Sequence, residues 1–240
     1  MGGGLLTRWR SWGAIVITLA GLWTGMPTAT AEPCPDIGVA FARGTGEWPG
    51  VGNVGQSFVD NLRSQAFPRT VGVYGVNYPA SSNFGSGLEF ELNVADGIRD
   101  LANHVRGVLS VCPNTRMVLG GYSQGAAVAA LTTSGLVPQG VPPAAAPVPI
   151  APDLADHVDA VVLFGKPSGQ AQIKYGVPAI DVGPLYAGKS LVLCAVGDTV
   201  CSGDGANGSS LAHGQYGMNG MAAQAAAFVV GRLAPPAPVL

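Results

Sequence analysis

Apolar residues recur along the chain with two different spacings, and the spacings alternate. Ile37 to Ala42 is an unbroken apolar run between turn formers, which predicts a strand covered on both faces. Val54, Phe58, Val59 and Leu62 fall on one side of a helical wheel, which predicts a helix over Val54–Gln65. Val71 to Tyr78 reads as a second strand stopped by Pro79. The stripe Leu92, Ile98, Leu101, Ala102, Val105 and Leu109 predicts a long amphipathic helix over Leu88–Ser110. Met117–Gly121 then predicts a strand, Gln124–Leu131 a helix, Val158–Phe164 and Leu191–Ala195 two more buried strands, and Gly220–Leu233 a last helix. Pro138–Pro152 carries too much proline for either element and reads as a surface loop, and Pro235–Leu240 reads as a frayed tail. Strands alternating with helices predict an α/β fold: an open, mostly parallel sheet with helices on both faces. In such sheets ligands bind beyond the carboxyl ends of the strands.

Composition removes several classes of function. A chain of 240 residues that is 48% hydrophobic and 11% charged is no disordered polyelectrolyte. Twelve Lys+Arg against 14 Asp+Glu, with no basic stripe, exclude nucleic-acid binding by bulk charge. Arg8 and Arg10, the apolar stretch Gly13–Trp23 and the small residues of Ala29-Thr30-Ala31 form the pattern of a cleaved export signal over residues 1–31. The apolar stretch is short of the roughly 20 residues that span a bilayer. A secreted or cell-wall-associated mature chain starting near Glu32, monomeric and without a membrane span, is therefore expected, its catalytic domain running over 32–233 and its tail over 234–240. Four cysteines in an exported chain suggest two disulfides, for which three pairings exist. The seven-residue spacing of Cys194 and Cys201 suits a small closed loop, which would leave Cys34 for Cys112.

Gly121-Tyr122-Ser123-Gln124-Gly125 places a GxSxG run between a predicted strand and a predicted helix. Such a serine sits on a sharp turn that bulky neighbours would block, with its hydroxyl lifted above the sheet edge and the Gln124 amide free to meet an oxyanion. Among three histidines, His104 lies within the long helix and His157 stands between Asp156 and Asp159 as a solvated loop residue. His213 precedes the last helix, where a general base for Ser123 belongs. Asp198 follows the Leu191–Ala195 strand inside the Cys194–Cys201 span and is the candidate to orient His213, ahead of Asp204, Asp181 and Asp153. Chain order Ser123, Asp198, His213 is that of an α/β-hydrolase. Arg43-Gly44-Thr45-Gly46 follows the first strand, where Thr45 can offer an amide and a hydroxyl as second oxyanion donor.

At these residues the sequence resembles the cutinase family of serine esterases, particularly the cutinase-like secreted proteins of mycobacteria and related actinobacteria. The resemblance runs from about Cys34 to Leu233. It is carried by Cys34-Pro35, Ala42-Arg43-Gly44-Thr45, the Gly121–Gly125 run, Cys194-Ala195-Val196-Gly197-Asp198-Thr199-Val200-Cys201 and His213. It implies a cutinase-like α/β-hydrolase fold, a Ser123, Asp198 and His213 triad, Thr45 and Gln124 as oxyanion donors, and Cys34–Cys112 and Cys194–Cys201 disulfides. Fungal members usually carry Ser where Thr45 stands, and the Ala/Pro loop over 138–152 departs from their compact form.

Gly50-Val51-Gly52-Asn53-Val54-Gly55 matches a dinucleotide-binding pattern but lies too far beyond the strand ending at Ala42, and no acidic residue follows the next strand. No cofactor or metal is expected. Phe84 and Leu211 are candidates for contacting an acyl chain, and Asn207-Gly208-Ser209 matches a glycosylation acceptor. The reading is thus an exported serine esterase acting on lipid or other short- to medium-chain fatty acyl esters. Its rivals are an acetyl-polysaccharide esterase, a phospholipase, or a catalytically idle binding protein on the same scaffold.

Overall fold

Five strands lie side by side and all point the same way. In the computed structural model, β1 (Ile37–Ala42), β2 (Val71–Gly75), β3 (Arg116–Tyr122), β4 (Val158–Phe164) and β5 (Ser190–Leu193) form one parallel sheet in the order β2-β1-β3-β4-β5. Residues 1–2, 33–83, 87–134, 141–143, 146–175, 179–203 and 211–233 are described, and every element named here lies within Cys34–Leu240, beyond the division of the chain after Pro33. The predicted leader (save its first two residues), the tail, Phe84, Asp204 and Asn207 fall outside the described residues. Register makes the carboxyl ends level: Ala42 faces Gly121, Tyr122 faces Phe164, and Phe164 faces Leu193. Whatever follows β1, β3, β4 and β5 therefore emerges along a single rim.

Helices α1 (Gly52–Ala66) and α7 (Met221–Arg232) cover one face, and α2 (Gly87–Val111) and α3 (Gln124–Ser134) cover the other. Successive residues of β1 divide between them, as the strand pleat requires: Val39 and Phe41 pack with Phe58 and Leu62 of α1, Ala40 with Ile98 and Leu101 of α2. The rings of Phe41, Phe58 and Phe164 meet at 6.0–6.1 Å, and burying each stabilises the fold by about 2 kcal/mol. Helix α3 is wrapped by protein, with Ala126 to Ala130 all at 0% exposure, which explains why its first turns carry no polar face.

Each predicted element is present; β1 and β4 keep their predicted bounds and the others have shifted ends. β2 stops at Gly75, opposite Phe41 and one residue before β1 ends at Ala42. Val76 spends its N–H on the Phe41 carbonyl, and Asn77 gives its N–H to Asp100 of α2. Three short helices, α4 (Gly169–Tyr175), α5 (Pro184–Ala187) and α6 (Thr199–Ser202), and two 3₁₀ turns, Pro152–His157 and Leu211–Gly214, have no counterpart in the sequence reading. Both disulfides form as expected. Cys34–Cys112 joins the segment before β1 to the end of α2, at the amino edge of the sheet, and Cys194–Cys201 closes the loop after β5. Such bridges fit an oxidising compartment. No helix among the described residues is long and apolar enough to cross a membrane.

Candidate active site

Ser123 occupies the turn between β3 and α3 with φ +54°, a left-handed conformation that side chains other than glycine rarely adopt. Main-chain contacts hold it there. Its N–H donates to the Phe164 carbonyl of β4 at 2.9 Å, and its own carbonyl accepts from Ala126 at 3.0 Å and Ala127 at 3.2 Å. The flanking glycines are sterically required. A Cβ at Gly121 would collide with the Gly125 carbonyl oxygen, and one at Gly125 with the carbonyl oxygen of Ala42.

Asp198 and His213 converge on Ser123 from beyond β5. His213 Nε2 lies 2.9 Å from Ser123 Oγ, and Nδ1 lies 2.8 Å from Asp198 Oδ2. An ionised carboxylate only accepts, so Nδ1 carries the proton and Nε2 is left to accept from the serine hydroxyl. Asp198 is fully buried and caps α6, its Oδ1 accepting from the Val200 N–H at 2.9 Å. Burial pushes its carboxyl pKa up, but the donors His213 and Tyr216, the nearby imidazole charge and the Val200 amide outweigh burial and hold it below the usual carboxylate value. Cys194, Asp198 and Cys201 bring three potential ligand atoms together, but the two sulfurs are spent on each other.

The β1–α1 connection carries Thr45 to the same rim, where its hydroxyl donates to Gln124 Oε1 at 3.3 Å. Gln124 is buried at the head of α3, and its Nε2 has no partner among the described residues. The connection is braced twice. Arg43, 5% exposed, donates to the carbonyls of Glu47, Val76, Tyr78 and Pro79, while Tyr78 Oη donates back to the Arg43 carbonyl at 2.5 Å. Glu47 accepts from Gly44 N–H at 2.6 Å and Asn53 N–H at 2.7 Å. Its carboxylate thereby takes an amide at the start of α1, where the glycine-rich motif would have needed a phosphate. A cleft of about 510 Å³ opens beside Thr45, between the exposed indole of Trp48 and Asn53 and Gln56 of α1.

The structure thus brings Ser123, Asp198, His213, Thr45 and Gln124 together. Leu211 stands exposed two residues before His213. His104 stacks on Tyr74 of β2 at 3.7 Å with its pKa lowered by burial, against the opposing charge of Asp100, and His157 closes a 3₁₀ turn at the start of β4. Asp153 and Asp181 are exposed. Two residues escaped the sequence reading. Tyr122 Oη donates to the His213 carbonyl at 2.7 Å, and Tyr216 Oη donates to Asp198 Oδ2 at 2.5 Å. Their only prior signal was an aromatic within the GxSxG run and another three residues after the histidine.

A parallel sheet with helices on both faces, a serine on a strained strand-to-helix turn and a histidine–aspartate pair on the following loops define an α/β-hydrolase-like protein. The family model for cutinase matches residues 33–233, and the chain belongs to the cutinase family. It is 54% identical over 170 residues to the probable carboxylesterase Culp7 of Mycobacterium tuberculosis, covering 71% of this chain and 89% of that protein. Over 222 residues it is 43% identical to the carboxylesterase Culp1 of Mycobacterium bovis, covering 92% of each. Among solved structures it is similar to Trichoderma reesei cutinase in complex with a C11Y4 phosphonate inhibitor, with a TM-score of 0.58 and 35% identity over 83% of this chain and 77% of that one.

Proposed function

We propose that the protein is an exported carboxylic-ester hydrolase that works through an acyl-enzyme on Ser123. The observation that carries this reading is the unbroken hydrogen-bond chain from Ser123 Oγ through His213 to buried Asp198. Membership of a family whose relatives include carboxylesterases, and the likeness to a solved cutinase, support it. In this mechanism His213 Nε2 takes the serine proton as Oγ attacks the ester carbonyl, and Asp198 stabilises the imidazolium that forms. The amides of Thr45 and Gln124 receive the oxyanion, each donor of this kind contributing on the order of 10²-fold in rate. Proton return from His213 releases the alcohol. Water, deprotonated by the same imidazole, then frees the acid. Leu211 is the proposed acyl contact. Residues 1–31 act as the export signal, and the mature chain is a monomer starting near Glu32.

The test uses the exported chain, its N-terminus read by sequencing, on p-nitrophenyl esters of increasing acyl length, acetylated xylan and phospholipid. Turnover of short- to medium-chain esters by the wild type, and its loss by at least on the order of 10⁴-fold in Ser123→Ala with an unchanged thermal transition, is the expected result. Undiminished turnover in that variant overturns the assignment of Ser123. Failure of the wild type to react with a fluorophosphonate marks the protein as catalytically idle. Preference for acetylated xylan or phospholipid redirects the substrate while leaving the triad in place.

A further inference from the structure

Tyr216 carries a hydroxyl that its packing does not explain. The residue is fully buried, its ring edge-on to Phe164 at 5.9 Å and tilted against Tyr122 at 5.8 Å. Phenylalanine would serve such contacts, and a buried hydroxyl is costly unless it is bonded. This one meets three groups. It donates to Asp198 Oδ2 at 2.5 Å, accepts from the Ala195 N–H at 3.0 Å and lies 3.3 Å from Cys201 Sγ. Oδ2 is the same oxygen that accepts from His213 Nδ1, while Oδ1 is occupied by the Val200 amide.

We infer that Tyr216 is a positioning residue: its hydroxyl locks the Asp198 carboxylate to the segment that carries His213, so that acid and base are set relative to one another as one unit. The inference rests on the Ser123, His213 and Asp198 reading above. A carboxylate can turn about its Cβ–Cγ bond, and three donors on its two oxygens remove that freedom. Two of the donors, His213 and Tyr216, belong to one short stretch, and the third, Val200, belongs to the disulfide-closed loop that contains Asp198. Through Ala195 the same phenol also grips the start of that loop. Burial, followed by the hydrogen bond to Asp198, pushes the Tyr216 phenol up against the opposing Ala195 amide, so it remains a donor across the working pH range. The titratable groups that face the pair from neighbouring elements are Tyr122 of β3 and, acting on Tyr122, Glu47 of the β1–α1 connection. Cys194 and Cys201, being bonded to each other, do not titrate.

Tyr216→Phe keeps the ring and removes the hydroxyl. Expected are a fall in kcat of about tenfold, the size of one charge-assisted hydrogen bond, with KM nearly unchanged. The acid limb of kcat/KM should move to higher pH, because Asp198 loses one of the donors that hold its proton off, and the downfield proton resonance of His213 Nδ1–H should shift. Added to Asp198→Asn, the substitution should cost nothing further, since its route to the reaction is already cut. Substituting 3-fluorotyrosine at 216, a stronger donor of the same shape, should move the acid limb the opposite way, and it serves if the phenylalanine variant fails to fold. A pH profile that superimposes on wild type in the folded variants, or a full additional loss on top of Asp198→Asn, overturns the inference. Turnover that survives in Ser123→Ala overturns the triad reading and this inference with it, whereas loss there beside a wild-type profile at 216 overturns this inference alone.

Discussion

The serine side and the carboxylate side of this site are held by different kinds of force. Ser123 directly follows β3, the middle strand of the sheet, and is fixed by main chain: its amide on Phe164, its carbonyl on α3, and two glycines whose hydrogens are all the space allows. Asp198 and His213 stand on loops beyond the edge strand β5, with no ladder to hold them. They are fixed by a disulfide, by two tyrosine hydroxyls and by each other. Steric fixing cannot be relaxed without disturbing the core, whereas polar fixing can be removed one bond at a time. The first kind defines where the attack takes place, and the second tunes how well.

The sharpest way to break that contrast is Gly125→Ala. The added methyl would run into the main-chain carbonyls of both Ala42 and Arg43, so β1, the segment after it or α3 must shift, at an expected cost of more than about 3 kcal/mol in urea unfolding. A variant as stable and active as wild type would show that the turn is not sterically set. A smaller effect compares the two disulfides. Chain-entropy arguments give about 4 kcal/mol for closing the 78-residue separation of Cys34 and Cys112, and about 2 kcal/mol for the seven-residue separation of Cys194 and Cys201. Replacing each pair by alanine should therefore invert the ranking. Loss of Cys34–Cys112 should lower the melting temperature more while leaving the specific activity of the folded protein intact. Loss of Cys194–Cys201 should lower it less yet cost about tenfold in kcat/KM, because the Asp198 loop is set free. Equal activity in the two variants would remove the distinction. Smallest is Asp36, an exposed carboxylate whose pKa is lowered by the Thr70 amide and hydroxyl, against a small burial cost, with Arg69 nearby. Its folded value lies below its unfolded one, so it contributes stability above about pH 4 that is lost as pH falls through the folded value. Asp36→Asn should cost well under about 1 kcal/mol at pH 7, and the difference should close by about pH 2. A gap that persists unchanged in acid would contradict the cause assigned.

How readable each part was follows the same division. Sheet, covering helices and the serine turn came from local patterns: β1 and β4 are apolar runs, α1 and α2 have helical stripes, and GxSxG is steric grammar written in five consecutive residues. Asp198 and His213 could be named because chain order and flanking elements narrowed the choice, although the distances joining them exist only after folding. Tyr122 and Tyr216 were passed over because a lone tyrosine in a glycine-rich stretch reads as packing, and no spacing rule links residue 216 to residue 198. The short helices α4, α5 and α6 were missed for a related reason. Elements of four to seven residues complete too few turns to show a period, and tertiary contacts rather than propensity stabilise them. β2 is shorter than its apolar run because Asn77 turns to Asp100 of α2, a contact the strand's own residues do not reveal.

Parallel strands also give the molecule two poles. The Cys34–Cys112 bridge, together with exposed Phe67 and Val111, lies at the end where the strands begin, and the reactive rim lies at the other. An anchor chemically coupled at the first pole, to a bead or an electrode, would leave the mouth of the enzyme turned outward to meet bulky or insoluble material.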